Sequence, residues 1–188
     1  MDFGKVAETL FGRLAEQHKD RIDEVYRALS EPLIEDFLLP LEVREEQAWG
    51  EAWEEGYFVF RRQKTLASSP SGRVFLEARL ELAEKNQVSW TIEVQAFLSR
   101  LGEERDHRLW ELRVSRSRGI EVFCSSIPYW NLGRDPRVLP AAVELFYGLI
   151  RQAEEWVEER KKIRQSPEFQ AAQEWVRAQL VLSEGEGA

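Results

Sequence analysis

The chain has 188 residues, of which 32% are charged, and a formal net charge of −8. Folding at this length buries roughly 70% of the unfolded chain's surface, so one core suffices without a disulfide or a metal. A single cysteine, Cys124, excludes an internal disulfide and has no zinc-ligand spacing around it. No run approaches the roughly 20 apolar residues of a membrane span, and the start MDFGKVAETLFGRLAEQ lacks the basic, then unbroken apolar, pattern of a signal peptide. The expectation is one cytoplasmic α+β domain over residues 1–188, with no membrane and no cofactor.

Charge is spread unevenly. Residues 1–56 carry a net −9, residues 57–137 a net +4 and residues 138–188 a net −3. Acidic ends flanking a basic middle either neutralise each other within the fold or leave a polarised surface that steers a charged partner.

Residues 1–56 read as helical. Phe3, Val6, Leu10, Leu14, Ile22, Val25 and Leu29 recur at helical intervals, with an expected break near Asp20. EPLIEDFLL forms a short second helix that stops at Pro40. LEVREEQAWGEAWEEG reads as an acidic helix ending at Gly56, with Trp49 and Trp53 four apart on one face.

Residues 57–126 change period. Val88, Trp90, Ile92, Val94, Ala96 and Leu98 alternate with Ser89, Thr91, Glu93, Gln95, Phe97 and Ser99. Period-two alternation of this length places one set on one face of a β-strand. Val74 to Leu82, Trp110 to Val114 and Ile120 to Cys124 repeat it. Five such segments predict an antiparallel meander with one apolar face. The expected turns are ASSPSG, Glu84-Lys85-Asn86, Gly102 to Asp106, and Ser115 to Gly119 with a positive φ at its glycine.

Residues 127–137 form an irregular loop, and residues 138–182 return to helical spacing. Leu139, Val143, Phe146, Ile150, Ala153, Val157 and Ile163 make a long stripe, with Pro140 in its first turn. Its heptad-like length suits packing on the sheet and leaves room for a homodimer seam. Ser166-Pro167-Glu168 starts another helix carrying Phe169, Ala172, Trp175, Val176 and Leu180, and the tail 183–188 is expected to fray. The fold class is therefore two-layer α+β: a five-stranded antiparallel meander covered on one face by N-terminal and C-terminal helices.

Candidate chemistry is sparse. The outer sheet face should carry Glu77, Arg79, Glu81, Thr91, Glu93, Gln95, Glu111, Arg113 and Glu121, a mosaic typical of solvated cross-strand pairs. Glu93-Val94-Gln95 on a strand also suggests a magnesium-dependent nuclease, but a lysine base is missing at Gln95. His18 falls in a helical apolar stripe, His107 in a charged turn, and Cys124 on the inward side of its strand. None of them forms a nucleophile–base pair. Tyr57, Phe75, Phe97 and Phe123 share the parity of the polar residues, so aromatics interleave with Arg61, Arg79 and Arg113. Such a face can stack single-stranded bases and track phosphates.

The stretch Ile127–Arg134 looks most like a contact loop. Tyr129, Trp130, Asn131 and Arg134 are residue types found at protein interfaces, although Trp130 equally suits a plug at the sheet end. Helices, meander, then long helices is an order common to chaperone-like, ligand-carrying and adaptor folds, so order alone does not choose a function. The leading expectation is a non-enzymatic protein-binding or assembly factor. Single-strand nucleic-acid binding on the outer sheet face, through Arg79, Glu93, Gln95, Phe97 and Arg113, comes second. A carrier of an apolar ligand held among Trp90, Trp110, Phe146 and Ile150 comes third.

Overall fold

The computed structural model describes residues 2–30, 53–54, 57–82, 89–126 and 135–186. Helix α1 spans Phe3–Ser30 without interruption. Asp2 caps it, accepting from the Gly4 amide at 3.0 Å. The expected break at Asp20 is absent. Residues 13–30 hold no proline or glycine, and Asp20 lies on the exposed side, where an acid costs only a little helix propensity. The inward stripe Ala7, Phe11, Leu14, Ala15, Ile22, Val25 and Leu29 is buried.

Five long strands follow in meander order: β2 (Tyr57–Ser69), β3 (Gly72–Leu82), β4 (Trp90–Arg100), β5 (His107–Arg116) and β6 (Ile120–Ser126). A two-residue strand β1, Trp53–Glu54, pairs with Phe58 and Tyr57 at the β2 edge. This corrects the expected helix through Gly56: Trp53 lies opposite Phe58 in an antiparallel pair, which no helix ending at Gly56 allows. The short helix over 31–39 and the turn at 84–86 lie outside the described residues.

Strand β4 buries Trp90, Ile92, Val94 and Ala96 and leaves the residues between them half-buried, as alternation requires. Ile92 sits between Leu80 on β3 and Val114 on β5. Two turns differ from expectation. ASSPSG is not a long connection, because β2 runs to Ser69 and β3 begins at Gly72, leaving Pro70 and Ser71 as the turn. The left-handed glycine is Gly102, at φ 84°, rather than Gly119.

After the sheet, α2 (Val138–Arg164) and α3 (Pro167–Glu186) complete the fold. Pro140 occupies the first turn of α2, and Asp135 accepts from the Arg137 amide at 3.0 Å just before it. The buried face of α2 starts at Val138, Ala141 and Ala142, one step from the expected Leu139 and Val143, which are only half-buried. Ser166 accepts from the Phe169 amide at 3.3 Å, capping α3. That helix continues to Glu186, so the expected frayed tail from residue 183 is mostly helical.

Both α1 and α2 lie on the apolar face, α1 across β4–β6 and α2 across β2–β3. A single core cluster joins α1, the strands and α2. Polar ties fix the layers at the edges. The Trp90 indole donates to Asp23 at 2.8 Å, and Arg21 makes two bonds to Glu154, at 2.8 and 3.0 Å. Among the described residues no helix is long and apolar enough to cross a membrane.

Candidate functional site

The face of the sheet away from α1 and α2 collects the polar parity of every strand, and the register sets its mosaic. Arg79 on β3 stands opposite Glu93 on β4, which stands opposite Arg113 on β5. Gln95 lies between Glu77 and Glu111 in the next row. Arg113 bonds Glu111 at 2.8 Å and lies 3.8 Å from Glu93, while Arg79 bonds Glu81 at 2.5 Å. Gln95 donates to Glu93 at 2.7 Å and Gln63 to Glu77 at 2.8 Å. Arg79 and Arg113, the guanidiniums at the centre of this face, are thus matched by carboxylates.

Burial within the mosaic is uneven. Glu111 is only 4% exposed, so it is not the freely solvated carboxylate that alternation suggested. A charge-assisted bond from Arg113 and an ion pair with Arg108 offset its desolvation. Burial, and next to it the neighbouring Glu111 carboxyl, which favours a proton shared between the two, push the Glu93 pKa above the usual carboxylate range.

At one end of this face the aromatics meet. Phe75 and Phe97 are direct cross-strand partners whose rings stack at 5.5 Å and 23°. Arg73 places its guanidinium 4.3 Å from the Phe75 ring centre. The stack leaves Phe75 only 3% exposed, so it is not the open platform its parity predicted. Phe97 is half-buried, and Phe123, opposite Arg113 on β6, is 53% exposed.

Two β-bulges flank the stack. Leu66 is the extra residue of β2 opposite Phe75 and Val74, and Leu109 that of β5 opposite Ala96 and Phe97. Bulges bend a strand and re-aim its side chains, and they recur beside functional sites. The Leu66 carbonyl is satisfied from outside the sheet by Arg137, which donates to it at 2.7 Å. Beyond the stack an open cleft of about 480 Å³ lies between the β2–β3 turn and the β4–β5 loop, lined in part by Ser69, Ser71, Arg73 and Arg100.

The remaining candidates separate. His18 bonds the Tyr147 hydroxyl at 2.9 Å and packs beside Phe146, a rim position between α1 and α2. His107 is not in the turn but opens β5 opposite Leu98, where its exposed ring pairs with Glu103 of the preceding loop. Cys124 is half-buried on the inward face, bonded by the Trp110 indole at 3.1 Å, and burial raises its pKa, which disfavours the thiolate. Trp90, Trp110, Phe146 and Ile150 are each at most 1% exposed and belong to one packed cluster. Among the described residues no three metal-ligating side chains converge. Tyr129, Trp130, Asn131 and Arg134 lie outside the described residues.

Sequence reasoning missed the Phe75–Phe97 pairing with Arg73, the near-complete burial of Glu111 and the role of Arg137. A count of residues between the strands could have suggested the first. No family model, curated protein or solved structure matches the chain.

Proposed function

We propose that the protein is a non-enzymatic binding or assembly module that engages a protein partner through the outer face of its sheet. The observation that carries this reading is the matching of Arg79 and Arg113 by Glu81, Glu93 and Glu111 beside the exposed Phe123 ring. A phosphate backbone would have to displace those carboxylates, at a cost in desolvated charge. A folded or extended polypeptide can instead lay apolar side chains on Phe97 and Phe123 and exchange hydrogen bonds with Gln95, Thr91 and the ion pairs. Aromatics and arginines amid balanced charge match the composition of protein interfaces.

Single-strand nucleic-acid binding is the second reading, favoured by one feature: Phe97 already stacks on Phe75, so its far side could extend the stack by one base. The two readings part in a titration of the whole chain with mixed-sequence single-stranded RNA and DNA at low salt. Protein docking predicts a flat response. Saturable binding that weakens steeply with added salt would instead favour nucleic acid.

A further inference from the structure

Strand β3 turns Arg73, Phe75 and Glu77 to the outer face at alternate positions. Phe97 stacks on Phe75, and the Arg73 guanidinium lies 4.3 Å from the Phe75 ring centre. Arg79, Arg108 and Arg113 on the same face each reach a carboxylate. Among the described residues Arg73 reaches none. Its cross-strand neighbours are Ser68 and Ser99, so a hydroxyl donor stands on either side of it. Glu77 is the converse. It accepts from the Gln63 amide at 2.8 Å and lies opposite Gln95, and among the described residues no cation reaches it. One unanswered cation and one unanswered anion thus stand about 13 Å apart along a single strand, with an aromatic pair between them.

We propose that this strip takes an extended segment of the protein partner that carries an acid, an apolar side chain and a base at alternate positions. The acid meets Arg73 and the base meets Glu77. The strip belongs to the outer face proposed above as the docking surface, so its occupancy rests on that reading. Side chains on one side of an extended chain recur about every 6.8 Å, the interval that separates Arg73, Phe75 and Glu77. The middle side chain of the segment then lies on the half-buried Phe97 ring beside Phe75. The acid gains a guanidinium that the Phe75 ring already holds in place, with the two serine hydroxyls as further donors. A single-stranded nucleic acid fits less well. One phosphate could sit on Arg73 with its base on Phe97, but the next would run onto Glu77 and Glu111 in the following row.

The probe is the blocked peptide SETFTKS, titrated at low salt into the isotope-labelled whole chain while backbone amide shifts are followed. The expected result is saturable binding with shifts centred on residues 73–77 of β3 and their β4 partners. Arg73→Glu should weaken it by about 10-fold or more, and the peptide SKTFTKS should regain most of that loss on the variant. A fall in stability would not be repaired by a change of peptide, so the swap reads recognition alone. The strip is also complementary to itself turned end for end, so sedimentation is run alongside. A dimer that Arg73→Glu abolishes would make a second copy the occupant and overturn the foreign segment. No saturable shift on the strip, or tighter binding there by a single-stranded oligonucleotide, would overturn it too. Binding indifferent to the swap would overturn it while leaving the outer-face reading intact, because that reading is tested at Phe123 on β6.

Discussion

The guanidinium of Arg137 donates to the main-chain carbonyl of Leu66 at 2.7 Å, joining residues 71 apart in sequence. Leu66 is the extra residue of the β2 bulge. A bulge takes one residue out of the sheet ladder, and here a side chain just before α2 supplies a partner for its carbonyl. Asp135 holds the guanidinium in place with bonds of 2.9 and 2.8 Å. Arg137→Leu should therefore speed amide exchange around residues 64–68, with at most a small fall in melting temperature because the bond is exposed to solvent. Unchanged exchange there would show that the bulge holds without this tie.

The register makes a sharper prediction about the sheet. Ile92 is 1% exposed between Leu80 and Val114, so Ile92→Asp buries an unpaired charge and should cost several kcal/mol or prevent folding. Thr91, its neighbour, faces the other side opposite Glu81 and Ser115. Aspartate at 91 would meet Glu81 directly, so lysine is the cleaner substitution, and Thr91→Lys should stay within about 1 kcal/mol of the wild type. Equal melting temperatures for the two variants would mean the register is wrong.

Two glycines with opposite surroundings should respond oppositely to alanine. A Cβ on Gly72 would lie 2.2 Å from the main-chain oxygen of Ser99 on β4, which cannot yield without opening the strand pair. A Cβ on Gly148 in α2 would meet only the Arg62 side chain, at 2.7 Å, whose flexible stem can move aside. Gly72→Ala should destabilise by more than about 2 kcal/mol. Gly148→Ala should be neutral or gain up to about 1 kcal/mol of helix propensity. Thermal melts of the two variants decide the point; a shift of the same sign and size in both would contradict the close approach at Gly72.

Glu93 gives a pH prediction whose sign follows from its neighbours. Its pKa is raised in the folded state by burial and by the neighbouring Glu111 carboxyl. The folded chain therefore holds that proton to a higher pH than the unfolded chain. Stability contributed at this site is greatest below the ordinary carboxylate range and falls as pH rises through the folded pKa. Glu93→Gln keeps an acceptor for Gln95 and removes the ionisation. It should raise the melting temperature at pH 7 by a few degrees at most, the shift being screened by solvent. The advantage should shrink towards pH 4. An equal gain at both pH values would show that ionisation of Glu93 is not its source.

The parts of the fold written in local pattern were legible. Strict alternation from Val88 to Ser99 implied the strand and its buried side, and the apolar spacing of α1 implied its inward face. Long-range geometry was not. Nothing around Leu66 or Leu109 announces a bulge, because an extra residue is defined only against the partner strand. Parity correctly put Phe75 with the polar residues, but its burial depends on Phe97 and Arg73 closing over it. Glu111 likewise reads as a surface acid until Arg113 and Arg108 are seen to enclose it. Trp53 was placed on a helix by its spacing from Trp49, yet the edge of β2 claims it.

The outer sheet face is tested most directly by a comparison of three proteins in one capture experiment. Phe123→Glu removes the exposed ring that the edge strand β6 contributes to the proposed contact and sets a carboxylate opposite Arg113. Leu101→Glu changes a residue that is more exposed still, at 81%, but lies in the loop after β4. Both should melt within about 1 kcal/mol of the wild type, since each side chain is more than half exposed. Each is immobilised, challenged with lysate of the native host, and its retained proteins are quantified against the others. The account predicts a protein held by the wild type and by Leu101→Glu and lost, by about 10-fold or more, from Phe123→Glu. The same set of proteins retained at the same level by Phe123→Glu would contradict it.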